Sequence, residues 1–126
     1  MTSEMLQQQF PNLKLKQFAS PDLPGSEINM CPVLLSHLNW IAGQIPGGIR
    51  ITSGYRTIKH NKSVGGVANS SHLSGIAADV QTLTSAMRMK VIKLAIQRCI
   101  PRIGIGKTFV HLDIDREKAC EIIFLY

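Results

Sequence analysis

Thr108-Phe109-Val110-His111-Leu112-Asp113-Ile114-Asp115 is the stretch from which the fold is read, because apolar and polar side chains take turns along it. Successive side chains of a strand point to opposite faces, so Val110, Leu112 and Ile114 fall on one face and Phe109, His111, Asp113 and Asp115 on the other. The first face supplies a core. The second presents either a chemical site or plain solvent-exposed polarity, and the strand taken alone fits both.

Upstream, Gly75-Ile76-Ala77-Ala78-Asp79-Val80 reads as a strand with the same division: Ile76, Ala78 and Val80 on one side, Ala77 and Asp79 on the other. Ser71-His72-Leu73-Ser74-Gly75 brings an imidazole to its start. Arg102 to Ile105 and Glu121 to Tyr126 are further strand candidates, and β-branched Ile49-Arg50-Ile51-Thr52 leads into a turn at Ser53-Gly54. Two helices are expected. Pro32 opens one, with Leu34, Leu38 and Ile41 at helical spacing and an end by Gly43; Thr84 or Ser85 caps the other, with Met87, Val91, Leu94 and Ala95 on one apolar face and Pro101 beyond its end. Ser20 to Ser26 is turn chemistry, and the segment from Ser53 to about Ser74 reads as loop. The expected architecture is α+β, a small antiparallel sheet carrying the site and flanked by helices, in one domain over residues 1–126.

At 126 residues the chain can bury a core without disulfide staples. With 44% hydrophobic and 17% charged residues it is too apolar for disorder. No run approaches the ~20 apolar residues of a membrane span, and Met1-Thr2-Ser3-Glu4-Met5 has neither the basic start nor the apolar centre of a secretion signal, so synthesis in a cytosol and a monomeric state are expected. Cys31, Cys99 and Cys120 cannot all pair within one chain and are expected as buried, reduced thiols. The net charge of +6 is concentrated between Asp79 and Asp113, where Arg88, Lys90, Lys93, Arg98, Arg102 and Lys107 stand without an acid. A positive surface is expected there, suited to any polyanion. No nucleic-acid motif accompanies it, so specific nucleic-acid binding is not expected, although a basic nucleic-acid-binding domain stays a third reading.

Two imidazoles and a carboxylate, His72, His111 and Asp79, make a suitable zinc set. Three protein ligands leave a fourth tetrahedral position open, as catalytic sites require and closed structural sites do not.

The same residues carry a family resemblance. Ser53-Gly54-Tyr55-Arg56-Thr57, Asn61, Val64-Gly65-Gly66, Ser71 to Asp79 and Phe109 to Asp113 together resemble the signature of the M15 peptidases, zinc D-alanyl-D-alanine carboxypeptidases and related wall endopeptidases. The core pattern, S-x-H-x-x-G-x-A-x-D followed by a distant H-x-D, is specific, and the resemblance covers roughly Ser20 to Asp113. It implies that His72, Asp79 and His111 bind Zn2+, that Arg56 binds substrate or steadies the developing oxyanion, that Ser71 lies on the substrate side, and that the substrate is the D-alanine-containing stem peptide of peptidoglycan. With the expected cytosolic synthesis, it suggests a phage lysis enzyme that reaches the wall after release, although a virion-carried or bacterial remodelling enzyme would look similar.

The chain departs from the family at the general base. Many members carry an acid three residues before the last zinc histidine, or a histidine two before it; here Thr108 and Phe109 stand there. Asp113 shares a face with His111, about 7 Å along a strand, and has two open roles, general base or a partner that orients His111. The departure keeps a second hypothesis alive, a non-catalytic zinc-containing wall-binding module on the same scaffold. His37 and His60 stay outside the metal set. Gly106-Lys107-Thr108 resembles the end of a phosphate-binding loop, but Pro101 occupies the position of its first glycine and a strand follows.

Overall fold

Thr2 opens the fold in the computed structural model, which describes residues 1–126. Its hydroxyl accepts the Met5 N–H and caps helix α1 (Ser3–Gln9). Two single turns, Leu15–Phe18 and Ser26–Asn29, lead to α2 (Pro32–Gly43), which begins at Pro32 and buries Leu34, Leu35, Leu38 and Ile41 completely. Strand β1 (Ile51–Ser53) and helix α3 (Ile58–Ser63) follow, then β2 (Ala77–Gln81). Helix α4 (Ser85–Gln97) is capped by Thr84, whose hydroxyl accepts the Met87 N–H, and β3 (Arg102–Ile105), β4 (Phe109–Asp113) and β5 (Ile122–Leu125) complete the chain.

The five strands form one sheet in the order β1-β2-β4-β3-β5. Its core face presents Ala78, Val80, Ile103, Val110 and Leu112, which join the buried side chains of α2 and Val91 and Ala95 of α4 in one apolar cluster. Burying a side chain such as Leu112 stabilises by about 1.5–3 kcal/mol. This burial also sets register, since a slip of one residue would turn His111 into the core and Leu112 out of it. The opposite face carries Asp79, His111, Gly104 and Phe124 in one row across four strands, for Asp79 pairs with His111, His111 with Gly104, and Gly104 with Phe124.

The α+β architecture is the expected one, with one departure. The sheet is antiparallel only as far as β3; β5 pairs with β3 in parallel. The segment after Asp113 leaves and rejoins the sheet at the Arg102 end, because Arg102 pairs with both Asp113 and Ile122. Arg102 Nη1 donates to the Ala119 carbonyl at 2.6 Å and ties that crossing down.

Three other expectations change. Helix α3 lies inside the segment read as loop: Thr57 caps it by accepting the His60 N–H, but it is short and its first residue, Ile58, is 72% exposed, so it has no apolar stripe to betray it. The cysteines are free but not buried, Cys99 being exposed and Cys31 and Cys120 half-buried. The basic stretch is not one surface. Lys90, Lys93 and Lys107 are exposed, whereas Arg88 donates to the Lys107 carbonyl, Arg98 to His37 Nδ1, and Arg102 reaches Asp113 on the site face. No helix is long and apolar enough to cross a membrane.

Candidate metal centre

His72 sits in a single helical turn, Ser71–Ser74, started by the Ser70 hydroxyl, which accepts the His72 N–H at 3.2 Å. Gly75 ends the turn in the left-handed region at φ +71°, a conformation that glycine adopts without penalty. The His72 ring is oriented from outside: Nδ1 lies 2.7 Å from the Gly54 carbonyl, which can only accept, so Nδ1 carries the proton. Gly54 itself is pressed against Phe18, where a Cβ would come within 2.6 Å of the Phe18 Cα, and the Tyr55 N–H donates to the Phe18 carbonyl. Only glycine lets that carbonyl reach the imidazole. The other ring nitrogen, Nε2, is thereby the unprotonated one; it is buried, has no hydrogen-bond partner, and lies 3.3 Å from Asp79 Oδ1.

Asp79 and His111 face each other across the β2–β4 pair, with His111 Nδ1 3.0 Å from Asp79 Oδ1. The far nitrogen of His111, Nε2, donates to Asp113 Oδ2 at 2.6 Å. Donor atoms of His72, Asp79 and His111 all lie within 4.8 Å of one another, and all three residues are buried. Burial alone would raise the Asp79 carboxyl, but the contact with His111 outweighs it and holds the group well below the usual carboxylate range. Burial works against the His111 cation, yet Asp113 and Asp79 on its two sides raise its pKa above the ordinary value. Two nitrogens and a carboxylate oxygen, converging in a buried site with one nitrogen unpartnered, fit a zinc-type divalent ion.

Arg56 is aimed at this group. Its Nε donates to Ser53 Oγ at 3.0 Å, Nη1 to Asn61 Oδ1 at 3.2 Å, and Nη2 lies 3.5 Å from Asp79 Oδ2. Asn61 is buried and fixed in turn by donating to the Val67 carbonyl.

Asp113 is only 1% exposed, and both its oxygens are engaged. Arg102 Nε lies 2.9 Å from Oδ1 and 3.1 Å from Oδ2, the Asp115 N–H donates to Oδ1, and His111 Nε2 occupies Oδ2. Burial would raise this carboxyl, but His111, the Asp115 N–H and Arg102 together lower it. Of its two open roles, this geometry fits the one that orients His111. Ser71, expected on the substrate side, is buried, donates to Asp115 Oδ2 at 2.8 Å and receives Lys118 Nζ at 3.1 Å, so its hydroxyl braces the His72 turn against the segment after β4. Thr108 lies in the exposed turn between β3 and β4. His37 and His60 lie outside the group.

The chain matches the Peptidase M15 family over residues 18–113. It belongs to that family. The match spans the His72 turn, Asp79, Arg56 and the strand of His111, and it ends at Asp113, before β5. A search of curated proteins finds no match to the chain.

Several side chains that shape this group in the M15 peptidase are not legible in its sequence. Arg102 stands in a basic stretch expected as surface charge; only the β3–β4 register sets it opposite Asp113. Asn61 and Ser53 lie within the quoted motifs, but their hold on Arg56 depends on the fold of α3. Phe124 and Tyr126 also flank His111, with ring centroids 5.7 and 5.9 Å from its own. Burial and the Asp79 charge push the Tyr126 phenol up to about 12.

Proposed function

We propose that this M15 peptidase is zinc-dependent and hydrolyses peptide bonds in the stem peptides of bacterial peptidoglycan, with His72 Nε2, Asp79 and His111 Nδ1 holding the metal. The observation that carries the reading is the buried, unpartnered Nε2 of His72, aimed at the oxygen that His111 approaches from its other side. A nitrogen so placed loses its hydration on folding and gains nothing in return unless an ion takes it.

Zinc held there would supply Lewis acidity for amide hydrolysis. The protein's own part is positional and electrostatic. The Gly54 carbonyl and Asp113 each bind the outer nitrogen of one imidazole, which leaves the inner nitrogens free to ligate and strengthens them as donors. Arg56, anchored by Ser53 and Asn61, holds a guanidinium beside Asp79, where it can bind a substrate carboxylate or the charge that develops on a carbonyl oxygen. The exposed Lys90, Lys93 and Lys107 would favour encounter with anionic wall polymers, in keeping with a lysis enzyme.

A second reading rests on Thr108 and Phe109, which stand where relatives resembling this chain carry their base, together with the full engagement of Asp113. On that reading the scaffold binds zinc and wall peptide without cutting. Release of new amino groups from purified peptidoglycan, with and without a chelator, separates the two: chelator-sensitive release supports the peptidase, and no release at full zinc occupancy supports the binding module.

A further inference from the structure

Strand β5 and Tyr126 lie beyond the residues that match the family, yet they complete one wall of the site. The construction starts from two glycines. Gly104 pairs with His111 on one side and Phe124 on the other; a Cβ there would come within 2.6 Å of the Phe124 ring and 2.7 Å of the Tyr126 ring. A Cβ on Gly106 would likewise collide with the Phe109 ring. Bare backbone at these two positions lets three aromatic rings lie over β3 and β4 beside the metal centre. Phe109 and Tyr126 meet edge to face with centroids 5.0 Å apart, Phe124 and Tyr126 are tilted to each other at 5.7 Å, and both Phe124 and Tyr126 flank His111. Arg102 lies 5.1 Å from the Phe124 ring centroid and steadies it from behind.

The shelf is anchored but not covered. Tyr126 is pinned by its backbone N–H to the Ile105 carbonyl at 3.0 Å, while 68% of the residue remains exposed. Its ring lies over Gly104 with its centroid 5.9 Å from that of His111, which puts it on the same side of the sheet as the centre. An apolar ring surface with one neutral donor at its rim, continuous with the metal row Asp79–His111–Gly104–Phe124, suits a peptide with small apolar side chains and a backbone carbonyl to receive a hydrogen bond.

We infer that Phe109, Phe124 and Tyr126 form the substrate-binding shelf of this peptidase, and that the Tyr126 hydroxyl donates a hydrogen bond to the bound wall peptide. The inference rests on the proposed function for the identity of that peptide. Because the three rings lie outside the metal ligands, the shelf shapes which peptide is accepted without holding the ion.

Tyr126→Phe is the direct test, since it removes the hydroxyl and keeps the ring on His111. Zinc content and melting temperature should match the wild type, which excludes a merely structural role. With the synthetic pentapeptide L-Ala-γ-D-Glu-L-Lys-D-Ala-D-Ala as probe and the zinc-loaded full chain, KM should rise about 3- to 10-fold, the loss of one neutral hydrogen bond. Phe124→Leu, which keeps bulk and removes the ring, should raise KM as well. Unchanged KM and kcat in Tyr126→Phe would overturn the shelf while leaving the proposed function standing. If the wild type cuts no bond of this peptide, the proposed function falls instead, and the shelf is then read by calorimetric titration of the uncut peptide. Binding weakened about 3- to 10-fold by Tyr126→Phe supports it, and equal binding, or none by either protein, overturns it.

Discussion

His111 is held between two carboxylates, its Nδ1 3.0 Å from Asp79 and its Nε2 2.6 Å from Asp113. The two contacts divide the work of one ring. Asp113, with both oxygens already engaged, holds one nitrogen, and the other faces Asp79.

Asp113→Asn should therefore weaken zinc binding by about 10- to 100-fold, the range seen for outer partners of metal-binding histidines. Hydrolysis by the variant should return when excess zinc is added. Activity that stays at least ~100-fold down at saturating zinc would instead make Asp113 the general base.

Arg56→Ala should keep zinc and melting temperature and lose about 100- to 1,000-fold in kcat, as when one donor to a developing oxyanion is removed. Kinetics with metal content measured on the same sample check this. Wild-type turnover, or loss of zinc together with activity, would contradict the role.

Arg102 guards Asp113, and its removal should leave the buried carboxylate with only His111 and the Asp115 N–H as partners. Arg102→Met is expected to cost about 1–3 kcal/mol of stability in urea unfolding. Coupled with Asp113→Asn, the pair should cost less than the sum of the single changes, because the charge that Arg102 compensates has gone. Additive losses would show that the two side chains do not depend on each other.

The pH dependence has opposite signs with and without metal. In the metal-free chain the raised pKa of His111 contributes stability that is fully present below its ordinary value of about 6.5 and is lost as pH rises through the raised value. Asp79 and Asp113, both lowered, contribute stability present above about 3.9 and lost as pH falls through their lowered values. The chelated protein should accordingly melt highest between roughly pH 4 and 6.5. Zinc competes with the proton on His111, so the gain in melting temperature on adding zinc should grow as pH rises through the raised His111 value. Melting curves across this range check both trends, and a zinc-induced gain independent of pH would contradict them.

The residues that were legible in the sequence are those whose position follows from local periodicity. Alternation along Val110, His111 and Leu112 tells the core face from the polar face because the period of a strand is two, and Pro32 and the pair Thr84-Ser85 mark helix starts because each meets a local demand of the first turn. Residues paired through tertiary register were not legible. Arg102 meets Asp113 only because β3 lies beside β4, and the parallel pairing of β5 follows from where the chain crosses the end of β3. The hydroxyl of Ser71 likewise meets Asp115, a residue 44 positions away, a contact that no local pattern announces.

Zinc content of the wild type and of His72→Ala, measured at stoichiometric metal after dialysis, tests the central claim most directly. Three donors converging within 4.8 Å make one site, so the wild type should hold about one zinc per chain. His72→Ala removes the unpartnered Nε2 around which the site is read, and the variant should hold none under the same conditions. Full zinc occupancy in His72→Ala would contradict the ligand set.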